Sequence, residues 1–218
     1  MLEEKINELR KELVEYGALV EKMIEKSIRG LLEKDRDLLN DVVDKDEPRA
    51  NEFEIRLDER CISMIAQFQP KAKDLRTIIM VLKMNNDLER MADHGVNISE
   101  NAIYLISLPI VKPLIDIPRM ADTTMAMVRD SINSFVTEDA KLARSVCEQD
   151  NTVDGLMDQV FRELITHMLT QPKTIERAIR LITIARNLER IADLSTNICE
   201  DVIFMVQGKV IKHHRNIN

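Results

Sequence analysis

The 218-residue chain is short of glycine (5), proline (6) and aromatic residues (5 Phe, 2 Tyr), and it has no tryptophan. Sandwiches and barrels draw heavily on all of these for turns and pleated surfaces, so an all-β fold is excluded. Cysteine is scarce too. Cys61, Cys147 and Cys199 lie far apart, are odd in number and form no C-x-x-C pair, which points to a reducing compartment and small core residues rather than a disulfide framework or zinc knuckle. The longest nearly apolar run, Ala102 to Val111, is about half of a membrane span. Met1-Leu-Glu-Glu-Lys-Ile reads as the start of an acidic amphipathic helix rather than a signal peptide. These features lead us to expect a cytoplasmic protein whose contact with membranes runs only through partners. Basic charge is also in deficit: 31 Lys and Arg stand against 38 Asp and Glu, a formal −7. With no basic block on any expected helix, nucleic acid is not an expected partner. The acidity is uneven, 17 basic against 23 acidic residues up to Leu108 and 14 against 15 after it.

What is abundant is helix-forming material. Hydrophobic residues make up 44% of the chain and charged residues 32%, with 12 Met, the mixture of long amphipathic helices packed on one another. The chain also repeats itself. Leu88-Glu-Arg-Met-Ala-Asp-His-Gly-Val-Asn-Ile-Ser-Glu100 returns one hundred residues later as Leu188-Glu-Arg-Ile-Ala-Asp-Leu-Ser-Thr-Asn-Ile-Cys-Glu200, with 8 of 13 positions identical. Unrelated segments agree at roughly 6% of positions, so this is an internal duplication. Gln69-Pro70 and Gln171-Pro172 precede the two copies.

Helical periodicity then divides each unit into three. In the first unit, Leu2, Ile6, Leu9, Leu13, Val20, Ile24, Ile28 and Leu31 mark a long first helix. A break with a short helical piece covers Asp35 to Asp44. Asp46-Glu-Pro48 supplies an N-cap and first-turn proline for a second helix ending at Gln69-Pro70. A third helix spans about Lys71 to Ser107. In the second unit, Asp116-Ile-Pro118 opens a helix to about Val136, Thr137-Glu-Asp starts a short piece, Asp150 caps the next helix, and a last helix runs from about Thr174 to Val206. Short links between long helices give antiparallel neighbours. The expected fold is therefore all-α: two tandem, repeated three-helix bundles, residues 1–110 and 111–207, with a polar tail at 208–218 that carries His213-His214.

Carboxylates at i and i+4 share a helix face, and 38 acidic residues produce such pairs by chance. Glu89/Asp93 gains weight because Glu189/Asp193 occupies the same positions of the repeat, each pair followed by Asn97 or Asn197. Folding the second unit about Gln171-Pro172 brings Asp193 level with Asp150 and Glu189 level with Asp154. Such a cluster repels itself unless it is protonated or bridged by cations, and its hard oxygens suit Mg²⁺, Ca²⁺, Mn²⁺ or iron. The same operation in the first unit offers Glu47/Asn51, one carboxylate fewer, with Glu54/Asp58 in reserve. The competing account has Arg90 and Arg190 neutralising these acids in surface salt bridges. A further version keeps the acidic faces as docking surfaces for a basic partner. A catalytic di-iron bundle lacks its Glu-x-x-His signature, and no nucleophile elbow, phosphate loop or dinucleotide fingerprint occurs, so a carboxylate-cluster hydrolase or oxidase is the remote alternative.

The repeated Leu-Glu-Arg-x-Ala-Asp, together with the run from Asn51 through Cys61-Ile to Gln69-Pro70, resembles the PhoU family over nearly the whole chain. The resemblance implies a non-enzymatic, cytoplasmic regulator that restrains phosphate uptake and phosphate-starvation signalling. It implies a homodimer, and as partners the ATP-binding subunit of a phosphate ABC transporter and a phosphate-sensing histidine kinase. It also implies metal ions (iron, or magnesium, manganese or zinc) held by Glu/Asp-x-x-x-Asp pairs, which carry over to Glu89/Asp93, Glu189/Asp193 and Asp150/Asp154, while Glu47/Asn51 departs from the acidic pattern.

Overall fold

The computed structural model describes residues 2–207; the expected polar tail with His213 and His214 lies outside the described residues. Among the described residues seven α-helices follow one another: α1 (Leu2–Glu33), α2 (Arg36–Asp41), α3 (Glu47–Phe68), α4 (Ala72–Ile106), α5 (Asp116–Thr137), α6 (Ala140–Thr170) and α7 (Ile175–Gln207). A π-helical turn (Val42–Asp46) joins α2 to α3, and a 3₁₀ turn (Pro172–Thr174) leads into α7. No strand occurs among the described residues, as the composition requires.

The duplication extends well beyond the repeated motif. Along α5, the buried Ile117, Met120, Ala121, Met127, Val128, Ser131, Ile132 and Phe135 align with the buried Leu13, Tyr16, Gly17, Met23, Ile24, Ser27, Ile28 and Leu31 of α1. The links that follow match as well. Lys34 and Glu138 both take left-handed backbone (φ 57° and 53°). The next residue in each case, Asp35 or Asp139, caps the following helix by accepting from two backbone amides. The chain then returns close against α1: a Cβ on Gly30 would come within 2.7 Å of the Leu39 side chain.

The units differ where the first inserts its π turn. Asp35 to Ala50 is four residues longer than Asp139 to Asp150. Four residues overshoot one α-helical turn by about 40°, and a wide turn, with the Glu47 amide donating to the Val42 carbonyl, takes up that excess. Two expected caps are corrected here. Asp46 has helical backbone and no capping hydrogen bond; its carboxylate is buried and receives the Lys26 ammonium at 2.5 Å. Asp150 sits inside a continuous α6, itself buried, and Asp139 is the cap. A local Asp signal is outweighed by a long-range partner in one case and by uninterrupted helix periodicity in the other.

The two bundles do not hang as separate beads. Helices α1, α4, α7 and α5 form a central ring, with α3 outside α1 and α4, and α6 outside α5 and α7. Antiparallel α4 and α7 are tied along their length by Lys83–Asp201, His94–Asn187 and Arg180–Asn101. Met91 and Ile191, equivalent in the repeat, are fully buried. Antiparallel α1 and α5 are tied by Arg10–Glu138 and Glu21–Arg129. They approach so closely that a Cβ on Gly17 would fall 2.0 Å from Ile132 Cδ1. The apolar stripes of α4 and α7 face both their own bundle and the other, so one continuous core results. Each fully buried Leu, Ile or Met there contributes about 1.5–3 kcal/mol. No described helix is long and apolar enough to cross a membrane.

Candidate metal centres on the repeated helix faces

Within the motif, burial follows the helix period. Leu88, Met91 and Ala92 of α4, and Leu188, Ile191 and Ala192 of α7, are buried. Glu89 and Glu189 are consequently half-buried at the edge of the stripe, whereas Asp93, Asn97, Asp193 and Asn197 lie one or two turns on and are exposed.

In the second bundle Asp154 of α6 bears on both Glu189 and Asp193 of α7. Burial, then Asp193, then Asp154 hold the Glu189 carboxyl above the usual carboxylate range. Burial and then Asp154 do the same to Asp193. Arg190 opposes both shifts without cancelling them. Buried Asp150 lies one turn before Asp154 on α6.

In the first bundle the carboxylate that reaches the motif comes from Glu54. Glu89 is pushed up by burial, then Asp93, then Glu54, against a smaller opposing effect of Arg90. Asn85 fixes this part of α3, donating to the Glu54 carbonyl and to the Asp58 carboxylate at 2.8 Å each. Glu47, half-buried, and Asn51, exposed, lie nearer the start of α3. The signal that identifies Glu54 is the repeat itself: one hundred residues on, Ala50 and Glu54 become Asp150 and Asp154. Counting from the loop centre instead selects Glu47 and Asn51.

Sequence reasoning missed Tyr16 of α1. It is fully buried, with its ring stacked on Phe53 at 5.2 Å, and its hydroxyl has no hydrogen-bond partner. Burial, then Glu89, Glu54 and Asp93 drive its phenol above the ordinary tyrosine range, and Phe53, on which its ring stacks, is the residue before Glu54. The donors are hard oxygens in both bundles. Among the described residues, however, no three His, Cys, Asp or Glu side chains are drawn together as a metal-holding group.

The two faces meet at the seam. Arg90, Asp93, His94 and Asn97 of α4, with Arg190, Asp193, Leu194 and Asn197 of α7, line an open groove of about 400 Å³. The His94 Nδ1–H donates to Asn187 Oδ1 at 2.8 Å, a tautomer set by the Asn187 amide, whose Nδ2 donates to the Thr183 carbonyl. Burial lowers the His94 pKa and favours the neutral ring. Exchanging the repeats puts Leu194 in place of His94 and Asp87 in place of Asn187, and the loss of a polar partner tells on Asp87. Burial first, then Asp201, pushes it up to about 6, with Arg90, 3.8 Å away, and Lys83 pulling back.

A carboxyl that binds its proton more tightly when folded gives stability below the unfolded pKa of about 4, and that stability is lost as pH rises through about 6. Asp87→Asn, which copies Asn187, is expected to raise stability by about 1 kcal/mol at pH 7.5, a figure discounted for partial exposure. The gain should vanish below pH 4. Urea denaturation at the two pH values checks this, and a variant no more stable than wild type at pH 7.5 contradicts it.

Comparison with known proteins places this geometry. The sequence profile of the PhoU domain matches twice, at residues 13–102 and 117–202. The chain belongs to the PhoU family. It is 39% identical over 208 residues to the phosphate-specific transport system accessory protein PhoU homolog of Aquifex aeolicus, covering 95% of this chain and 94% of that one. A Thermotoga maritima PhoU homolog is 34% identical, covering 97% and 90%. The crystal structure of PhoU from Pseudomonas aeruginosa superposes with a TM-score of 0.91 at 33% identity, covering 96% of this chain and all of that one. The two PhoU domains are thus the two repeat units seen in the helices, and each contributes one Leu-Glu-Arg-x-Ala-Asp face to the seam.

Proposed function

We propose that this PhoU-family chain is a cytoplasmic regulator of a phosphate-specific transporter. In this reading it restrains phosphate uptake and phosphate-starvation signalling as an adaptor between the transporter's ATP-binding subunit and a phosphate-sensing histidine kinase. It acts as a homodimer and catalyses no reaction. The observation that carries this is the nearly end-to-end match to relatives named as phosphate-specific transport system accessory proteins.

The acidic faces give the adaptor its chemistry. Glu54, Glu89 and Asp93 in the first bundle, and Asp150, Asp154, Glu189 and Asp193 in the second, are the residues that would hold cations, with the amide oxygens of Asn97 and Asn197 alongside. A hard oxygen set fits iron, magnesium or manganese. A bound cation would supply positive charge between carboxylates that otherwise repel one another. With that charge in place each face would present a less negative surface to a partner.

The test is co-precipitation of the purified chain with the transporter's ATP-binding subunit, in Mn²⁺ and in excess chelator. Binding is expected to be at least tenfold tighter with metal. Binding that survives chelation but weakens with salt would assign the acidic faces to direct docking on a basic partner. No association under either condition would refute the adaptor reading.

A further inference from the structure

The two candidate sites are not chemical copies. At equivalent positions the second has Asp150 where the first has Ala50, so the first is short of one carboxylate. It differs in a second place: α5 carries Met120 where α1 carries Tyr16. Thus the bundle that lacks a carboxylate has gained a phenol. That phenol is fully buried, its ring is held by Phe53, the residue next to Glu54, and its oxygen is unpartnered. An orphaned buried hydroxyl carries a penalty of about 1–3 kcal/mol, which Phe at this position would avoid. Buried hydroxyls elsewhere in the core are satisfied, as Ser27 is by Met23, Gly95 and Ser99; the Tyr16 hydroxyl is one of a few buried side-chain atoms that are not, and it calls for an absent partner.

We infer that the Tyr16 hydroxyl is an oxygen ligand of the first bundle's cation site, replacing there the carboxylate that Asp150 brings to the second. This inference rests on the cation reading above and adds to it a difference between the sites. When ferric iron binds, the phenolic O–H bond breaks as the Fe–O bond forms. The electron pair stays on oxygen and the proton leaves to solvent. A trivalent, strongly polarising ion does this far more readily than Mg²⁺, so the first site favours ferric iron relative to the all-carboxylate second site.

The chain's composition makes the test clean, since Tyr16 and Tyr104 are its two tyrosines. Tyr104 lies elsewhere, under the Arg180 guanidinium at 3.8 Å. Chain freed of metal and titrated with ferric citrate is expected to develop a visible phenolate-to-iron charge-transfer band with resonance-enhanced tyrosinate vibrations. Tyr104→Phe should keep the band. Tyr16→Phe, which preserves the ring stack on Phe53, should abolish it and weaken first-site iron binding on the order of 10- to 100-fold. Adding Ala50→Asp to Tyr16→Phe should restore the affinity without the band. Iron uptake with no tyrosinate signal in wild type, or a band that persists in Tyr16→Phe, would overturn the assignment and leave the cation reading standing. No iron uptake at all would overturn both.

Discussion

Lys26→Ala is expected to cost about 3 kcal/mol of folding stability, among the largest single losses available in this chain. Lys26 of α1 places its ammonium 2.5 Å from Asp46 and 3.8 Å from Asp41. The Asp46 side chain is 3% exposed, at the end of the π turn. Removing one member of a buried pair leaves the other charged and desolvated, which costs about 3–5 kcal/mol. The lower end applies because Arg49, 3.7 Å away and largely in solvent, offers partial compensation. The loss should concentrate at the α2–α3 junction, since this pair pins the wide turn to α1. Replacing both partners by apolar residues, Lys26→Met with Asp46→Leu, should recover most of the stability, because the desolvation penalty leaves with the charges. Urea denaturation of the three proteins decides this. A Lys26→Ala loss below about 1 kcal/mol would show that Asp46 finds solvent or another partner unaided.

Much of the architecture can be read in the sequence because it is local. The apolar period of α1, α4, α5 and α7 and the breaks at Gln69-Pro70 and Pro109 place these helices within a residue or two. What could not be read depends on contacts made at a distance. Asp46 followed by Glu-Pro looks like a cap whether or not Lys26 stands twenty residues upstream to claim its carboxylate. Asp150 looks like a cap until α6 is seen to pass through it. A wide apolar stripe on α4 tells that two faces are buried, but not that α7 covers the second. The candidate sites divide the same way. The motif carboxylates were legible as a repeated pattern, whereas Glu54 required carrying the repeat into the second helix of each unit. Tyr16 was hidden because a lone tyrosine on an apolar stripe reads as core. Only its alignment with Met120, beside that of Ala50 with Asp150, sets it apart.

The second large effect concerns metal content, and it bears on the claim that the repeated acidic faces are cation sites. Burial raises Glu89, Glu189 and Asp193 toward protonation, and neighbouring carboxylates add to it. Ionising these groups therefore runs against their environment, and cation binding relieves that cost. At a free metal concentration one hundred times the Kd, the folded state gains about 2.7 kcal/mol. Elemental analysis of the chain purified without chelator measures the claim most directly. Wild type is predicted to hold iron or a divalent metal. Glu189→Ala with Asp193→Ala should empty the second face while the first keeps its share, and Glu54→Ala with Glu89→Ala should do the reverse. Wild-type protein free of metal, or metal content unchanged in both double variants, would contradict the account.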